Sequence, residues 1–309
     1  MKHMRRGVGY YAASAALLMA GAALTWVLMP TSTAVPVASS AAQAVAVAAA
    51  PVAVAASAAE PASPTDPATP EPSPGMALSA FAASDPLGFS RWAKRQAEQN
   101  VGDYRCTLIK QELIEGKLSE VQKVEMRYRK NPLAVMMIWK ENADQAKRVL
   151  YIPDDPEYRN KKGEPQAKVE PAGSVARMFV SEIMIELNSP RSKKASRRTI
   201  ADAGFAGTYR LLELYNGAAE RAGELEYRYT GEGTIDNRKT FVFERYLPES
   251  KVDGVTYVDA KMVIHIDQEY LVPTAVYSFA DKAGTKLLGT YTFADIDLKP
   301  GFTAEDFKF

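Results

Sequence analysis

The alternation of hydrophobic and polar positions divides the chain into parts with different periods. From Tyr104 onward the dominant period is two. Tyr104, Cys106 and Leu108 alternate with Arg105, Thr107 and Ile109, and Val124, Met126 and Tyr128 alternate with Glu125, Arg127 and Arg129. Strict alternation places one set on each face of a half-buried strand. Glu115-Gly116-Lys117 reads as the turn between these strands, and Asn131-Pro132 turns the chain again. Residues 133–139 (LAVMMIW) are apolar on both faces, which predicts a strand covered on both sides. A short strand follows at 148–152, and the polar, Pro- and Lys-rich stretch 153–173 reads as a loop.

Period two returns with Leu225, Tyr227 and Tyr229, then with Phe241 and Phe243. Val258, Ala260, Met262, Ile264 and Ile266 face one way; Asp259, Lys261, His265 and Asp267 face the other. Ala275, Tyr277 and Phe279 follow Pro273, and Leu287, Tyr291 and Phe293 follow a hairpin turn at 281–284.

Two stretches carry a helical period. Asp85-Pro86 is an N-cap followed by Pro at the first helical position, with Leu87, Trp92 and Ala93 as its stripe. Residues 199–222 predict a second helix, capped by Thr199, with Ile200, Ala203, Phe205, Tyr209, Leu212 and Tyr215 on one face. Residues 175–187 fit a helix through Val175, Phe179, Ile183 and Leu187, or a strand end through Ile183, Ile185 and Leu187. Roughly ten antiparallel strands with two or three helices, and no βαβ alternation, predict an α+β fold. The sheet is expected to be strongly curved and to wrap the helices.

The N-terminal part has neither period. Met1–Arg6 is basic, and residues 7–59 carry no Asp, Glu, Lys or Arg. The uncharged run 7–29 is long enough, at ~20 residues, to cross a bilayer, and the positive-inside rule places its start in the cytoplasm. Residues 1–30 are a cleaved signal peptide or an uncleaved membrane anchor. Ser32-Thr33-Ala34 and Ser40-Ala41-Ala42 suit cleavage; the long apolar core and Trp26 suit an anchor. Residues 31–77 hold 17 Ala and 8 Pro and read as a disordered, partly polyproline tether. Residues 78–309 are the folded domain, which this leader would deliver to the periplasm.

Charge then narrows the function. The 309-residue chain has formal net charge +1, and all but three of its 38 basic and three of its 37 acidic side chains lie in 78–309. A balanced domain lacks the cationic surplus that general nucleic-acid binding requires. One cysteine, Cys106, excludes an intramolecular disulfide or a Cys-based metal site. The two histidines are His3, in the leader, and His265, on the polar face of its strand. Asp154-Asp155 and the acidic pair within 295–297 read as solvated turn formers. No nucleotide, hydrolase or metalloprotease motif occurs, so no catalytic residue, metal or cofactor is assigned.

Two features invite a binding role. Arg191, Lys193, Lys194, Arg197 and Arg198 fall within eight residues and suit anionic headgroups or an acidic partner, or are a solvated loop. The expected inner face carries Met126, Tyr128, Val135, Met137, Trp139, Tyr227, Tyr229, Phe241, Phe243, Met262, Ile264, Tyr277, Phe279, Tyr291 and Phe293. These residues are either a closed core or the lining of a cavity for acyl chains, to which adaptable Met side chains are suited.

Residues 104–113 (YRCTLIKQEL) with their Gly turn, and 187–212 (LNSPRSKKASRRTIADAGFAGTYRLL), resemble an uncharacterised bacterial envelope family, domain of unknown function 1571. Residues 266–309, closing on 302–307 (FTAEDF), are similar to the end of periplasmic lipoprotein-carrier proteins. The resemblance implies a half-barrel sheet closed by helices around a hydrophobic cavity. It implies an envelope protein that binds a lipid, a lipoprotein acyl chain or another apolar ligand. The alternative is a regulatory protein that binds another envelope protein through its outer surface. Carriers of this type are soluble after signal cleavage, so the Ala/Pro tether departs from the pattern and favours a membrane-attached binder.

Overall fold

The structure is a computed structural model that describes residues 70–173, 181–248, 251–252, 255–256 and 259–309. The predicted leader and nearly all of the tether lie outside the described residues, as does the first half of the ambiguous stretch 175–187. Among the described residues no helix is long and apolar enough to cross a membrane.

The strands are β1 (Tyr104–Ile114), β2 (Lys117–Leu118), β3 (Gln122–Arg129), β4 (Ala134–Glu141), β5 (Ala146–Tyr151), β6 (Gln166–Pro171) and β7 (Ile183–Glu186). The second half adds β8 (Glu226–Ile235), β9 (Arg238–Tyr246), β10 (Lys251–Val252), β11 (Val255–Thr256), β12 (Lys261–Asp267), β13 (Pro273–Phe279) and β14 (Leu287–Asp297). Twelve form one antiparallel sheet in the order β7-β6-β5-β4-β3-β1-β14-β13-β12-β9-β8, with β2 hairpinned onto β1; β10 and β11 pair with each other. The sheet is open and curved, with β7 and β8 at its edges. The α+β class and the curved antiparallel sheet follow the sequence reading.

Among the described residues four α-helices accompany it: α1 (Leu78–Ser84), α2 (Pro86–Asn100), α3 (Pro190–Ala195) and α4 (Gly204–Arg221). The Asp85 side chain accepts from the Gly88 N–H at 2.8 Å, so the predicted N-cap forms. The apolar side chains buried on α2 are Phe89, Ala93 and Ala97, while Leu87 and Trp92 of the expected stripe are only half-buried. The helix expected over 199–222 is interrupted. A 3-10 turn at Ile200–Asp202 precedes α4, and Gly204 takes φ +80°, a left-handed conformation that glycine adopts without steric cost.

Other expectations change. The stretch 153–173 is not one loop: it contains a 3-10 turn (Pro156–Tyr158) and β6, whose Ala167 and Val169 are buried between Gln166, Lys168 and Glu170. Residues 183–186 are strand, which favours the strand reading of that part. The outer face is not uniformly wet. Ala134 and Met136, on the outer side of β4, pack with Leu150, Tyr158 and Phe307, so the C-terminal segment covers them and explains why β4 is apolar on both faces.

The main core lies between the inner face of the sheet and α1, α2 and α4. It joins Phe81, Phe89, Tyr104, Met126, Phe205, Tyr209, Phe241, Phe243 and Ile264, among others. The Tyr104 hydroxyl accepts from the Phe205 N–H at 3.0 Å, and the Tyr209 hydroxyl donates to the Leu271 carbonyl at 2.6 Å. These bonds pin the first turn of α4 to β1 and its second turn to the connection between β12 and β13.

Candidate functional site

The inner face does not close everywhere. A cavity of about 200 Å³ lies between the strands from β4 to β7 and the segment that runs through α3, the 3-10 turn and the start of α4. Met137 and Trp139 of β4, Val149 of β5, Ala167 and Val169 of β6 and Ile185 of β7 form its apolar wall. Between Arg191 and Gly204 the covering segment contributes the small residues Ser192, Ala195, Ser196, Ala203 and Gly204, with Ile200 as its one large apolar side chain. Small side chains opposite a row of β-branched ones leave the space unfilled. The exposed residues Asp144, Gln145 and Arg191 stand at its mouth.

The fifteen predicted cavity residues separate into three groups. Met137, Trp139, Met262, Tyr291 and Phe293 line the cavity. Met126, Tyr128, Val135, Tyr227, Tyr229, Phe241, Phe243 and Ile264 belong to the packed core beneath α1, α2 and α4. Tyr277 and Phe279 are on the opposite face. Met262 and Ile264 pair with Ser278 and Val276 across β12–β13, and directly opposed residues share a face, so Ser278 and Val276 point inward. A register shift after His265 offsets β13 by one position from the simple alternation, which sends Tyr277 outward against His265 (ring centroids 5.8 Å apart).

One end of the cavity is polar, and the period of two carries charged groups into it. On β1 the inward positions Tyr104, Cys106 and Leu108 continue to Lys110 and Glu112, which are 5% and 2% exposed. Lys110 Nζ donates to Glu112 at 2.7 Å, and the Tyr291 hydroxyl donates to Glu112 Oε1 at 2.7 Å. Ser196 Oγ lies 2.9 Å from Glu112 Oε2. Lys110 Nζ also stands 5.9 Å from the Trp139 ring centroid. Burial alone would raise the Glu112 carboxyl, but Lys110 and the Tyr291 and Ser196 bonds hold it below its ordinary value.

On β9 the inward positions Phe241 and Phe243 continue to Arg245, 1% exposed. Burial lowers its guanidinium to about 10. Asp259, expected on the polar face, is instead turned inward just before β12. It accepts from Arg197 at 3.0 Å and Arg198 at 2.8 Å and lies 4.0 Å from Arg245. Three cations keep its carboxyl low despite full burial. Against the pull of burial, Asp259 holds Arg198 above its ordinary value.

The five basic residues of 191–198 are therefore divided. Arg191, Lys193 and Lys194 are exposed on α3, whereas Arg197 and Arg198 turn in to Asp259. Sequence reasoning missed Lys110, Glu112 and Arg245. Their signal was available: Lys110 and Arg245 each fall two residues beyond an apolar inward position, Leu108 and Phe243, and Glu112 falls two beyond Lys110 in the same strand period.

His265 Nδ1 lies 3.0 Å from Thr240 Oγ1, and burial lowers its pKa. Cys106 is buried on the inner face, which pushes its thiol well up. Among the described residues no three His, Cys, Asp or Glu groups converge to hold a metal ion.

No curated protein matches the chain. Among solved structures it is similar to the MucA/MucB complex of Pseudomonas aeruginosa (13% identity, TM-score 0.40, covering 71% of this chain and 60% of that one). It is also similar to the Mycobacterium tuberculosis lipoprotein LppX (12%, TM-score 0.33, 68% and 94%) and to a LolA superfamily protein from Nitrosomonas europaea (10%, TM-score 0.29, 71% and 97%). The chain spans less than two thirds of MucB. The profile of the family described as protein of unknown function DUF1571 matches residues 101–309, which contain the whole sheet and the cavity, and the chain belongs to that family.

Proposed function

We propose that the protein binds a hydrophobic ligand, a lipid or an acyl chain, in the cavity between the β4–β7 half of the sheet and the α3–α4 segment. The observation that carries this reading is the cavity itself. It is lined by Met137, Trp139, Val149, Val169 and Ile185, and at about 200 Å³ it exceeds the volume of an ordinary packing defect. Empty apolar cavities of ~150 Å³ stay dry and take up small apolar molecules. The same reading places the domain in the bacterial envelope, held at or released from the inner membrane by the leader. The function is one of binding rather than catalysis, and the cavity requires no cofactor. Contact with a partner protein through the outer surface is the competing outcome.

Trp139 supplies a local reporter. A brominated fatty acid added to the full chain is expected to quench tryptophan emission, and Trp139→Phe is expected to remove most of that quenching. Native mass spectrometry of the purified chain is expected to show co-purified lipid. No quenching together with no bound lipid overturns the reading.

A further inference from the structure

The polar end of the cavity is out of electrical balance. Among the described residues, Lys110, Arg197, Arg198 and Arg245 meet only two carboxylates, Glu112 and Asp259. Arg197 and Arg198 side chains are 13% and 20% exposed, and those of the other four no more than 6%. Two uncompensated positive charges in such a place are costly unless an anion joins them. The remaining charged residues that line the cavity do not supply it. Asp202 is held by Arg210, and Asp144 and Arg191 stand exposed at the mouth.

Among the described residues, three buried polar atoms at the same end lack a partner: Arg197 Nη1, Arg245 Nε and Ser278 Oγ. Arg245 and Ser278 line the cavity. Arg245 is otherwise thinly served: its Nη1 reaches Asn216 Oδ1 at 3.4 Å and its Nη2 meets the Met262 sulfur. Register places these groups together. Arg245, Met262 and Ser278 are directly opposed on the adjacent strands β9, β12 and β13, and the row continues through Gly289 of β14 to Glu112 of β1. Unsatisfied buried donors are rare in folded proteins, and two in one row beside a cavity mark a place for a ligand's polar atoms.

We propose that the ligand is an anionic amphiphile, a carboxylate- or phosphate-headed acyl lipid. Its head lies against Arg198, Arg245 and Ser278, and its chain runs along Met137, Val169 and Ile185. This rests on the reading of the cavity as a hydrophobic-ligand site and adds the class of head that the site selects.

The test compares heads on one chain length. Brominated dodecanoate, brominated dodecyl phosphate and brominated dodecanol are titrated into the full chain, with inorganic phosphate as a fourth arm read by calorimetry. The two anionic amphiphiles are expected to bind at least tenfold more tightly than the alcohol. Arg198→Met is expected to reduce that ratio toward one; Asp259 keeps Arg197 as a partner in this variant. Ser278→Ala, which removes only a hydroxyl, is expected to reduce the ratio severalfold and serves if Arg198→Met does not fold. Equal binding of all three amphiphiles overturns the head assignment and leaves the hydrophobic-ligand reading standing. Binding of none of them overturns the hydrophobic-ligand reading as well. Binding of inorganic phosphate without any amphiphile shows a free-anion site and overturns the proposal.

Discussion

The two halves of the inner face are built from the same kind of strand and reach opposite outcomes. Under α1 and α2 the sheet is packed solid. Phe89 stacks on Phe243 with ring centroids 5.4 Å apart and meets Phe241 edge-on at 5.1 Å, while Tyr227 stacks on Phe243 at 5.5 Å. Under α3 and the 3-10 turn that follows it, β4 to β7 face a cavity. The strands do not make the difference, since Val149, Val169 and Ile185 are ordinary core residues. The covering segment does. α1 and α2 bring Phe81, Phe89 and Trp92, whereas the 192–204 segment brings one large apolar side chain, Ile200, beside serine, alanine and glycine. A concave sheet of uniform hydrophobicity thus becomes a core or a binding site according to the volume of what closes it.

The sharpest way to break this comparison is to truncate each half. Phe89→Ala is expected to cost about 3–5 kcal/mol, because the removed ring leaves a void among fixed aromatic neighbours. Val169→Ala, at the cavity wall, is expected to cost only about 1 kcal/mol, since that side chain already lacks neighbours on one side. Denaturant midpoints at constant slope measure both. Equal costs would show that the cavity is closed in solution. Asp259→Ala falls between the two halves in kind but is expected to match Phe89→Ala in size, at about 3–5 kcal/mol. It would leave Arg197, Arg198 and Arg245 facing one another without their shared carboxylate.

Filling the hollow half inverts the experiment. Ala167 is 3% exposed and lines the cavity. Ala167→Phe is expected to abolish uptake of a brominated fatty acid while changing stability by no more than about 1 kcal/mol, because the added ring enters existing space rather than overpacking a filled core. A loss of several kcal/mol would mean that the space is not there to be filled.

The sequence and the structure agree best where a pattern is local. The period of two located most strands, and Asp85-Pro86 marked the start of α2 because capping depends on neighbouring residues alone. The cavity was less legible. Its wall at Ala167 and Val169 lies on a strand hidden in a polar, Pro-rich stretch, Ile185 lies in a stretch that fits helix and strand alike, and the emptiness depends on which segment covers which strand. Tyr277 and Phe279 were misplaced by a single register shift, which alternation cannot reveal. Arg197 and Arg198 looked like members of a solvated basic run. Only the turn that brings in Asp259, some sixty residues later, separates them from Lys193 and Lys194.

Acid separates the halves in two windows. Glu112 and Asp259, at the polar end of the cavity, have folded pKa values below their ordinary 4.5 and 3.8. A depressed carboxylate contributes stability that is fully present above its unfolded pKa and is lost as pH falls through the folded one. The melting temperature is therefore expected to fall on acidification below about pH 4.5, and Glu112→Gln is expected to flatten that fall.

The smallest expected effect belongs to the packed half and a higher pH. His265 lies behind the core on the outer face of β12, bonded to Thr240 and against Tyr277, and burial lowers its pKa below 6.5. For a base this means that the unfolded chain takes up a proton before the folded one does. Its contribution is thus intact above pH 6.5 and declines as pH falls from there toward the folded pKa. A stability series from pH 7.5 to pH 5 is expected to show a small loss, and His265→Gln is expected to remove it. Ligand uptake at the cavity, separated from His265 by the thickness of the sheet, is expected not to change over this range. If uptake falls in step with stability near pH 6, the two halves open together and the independence of hollow and packed regions fails.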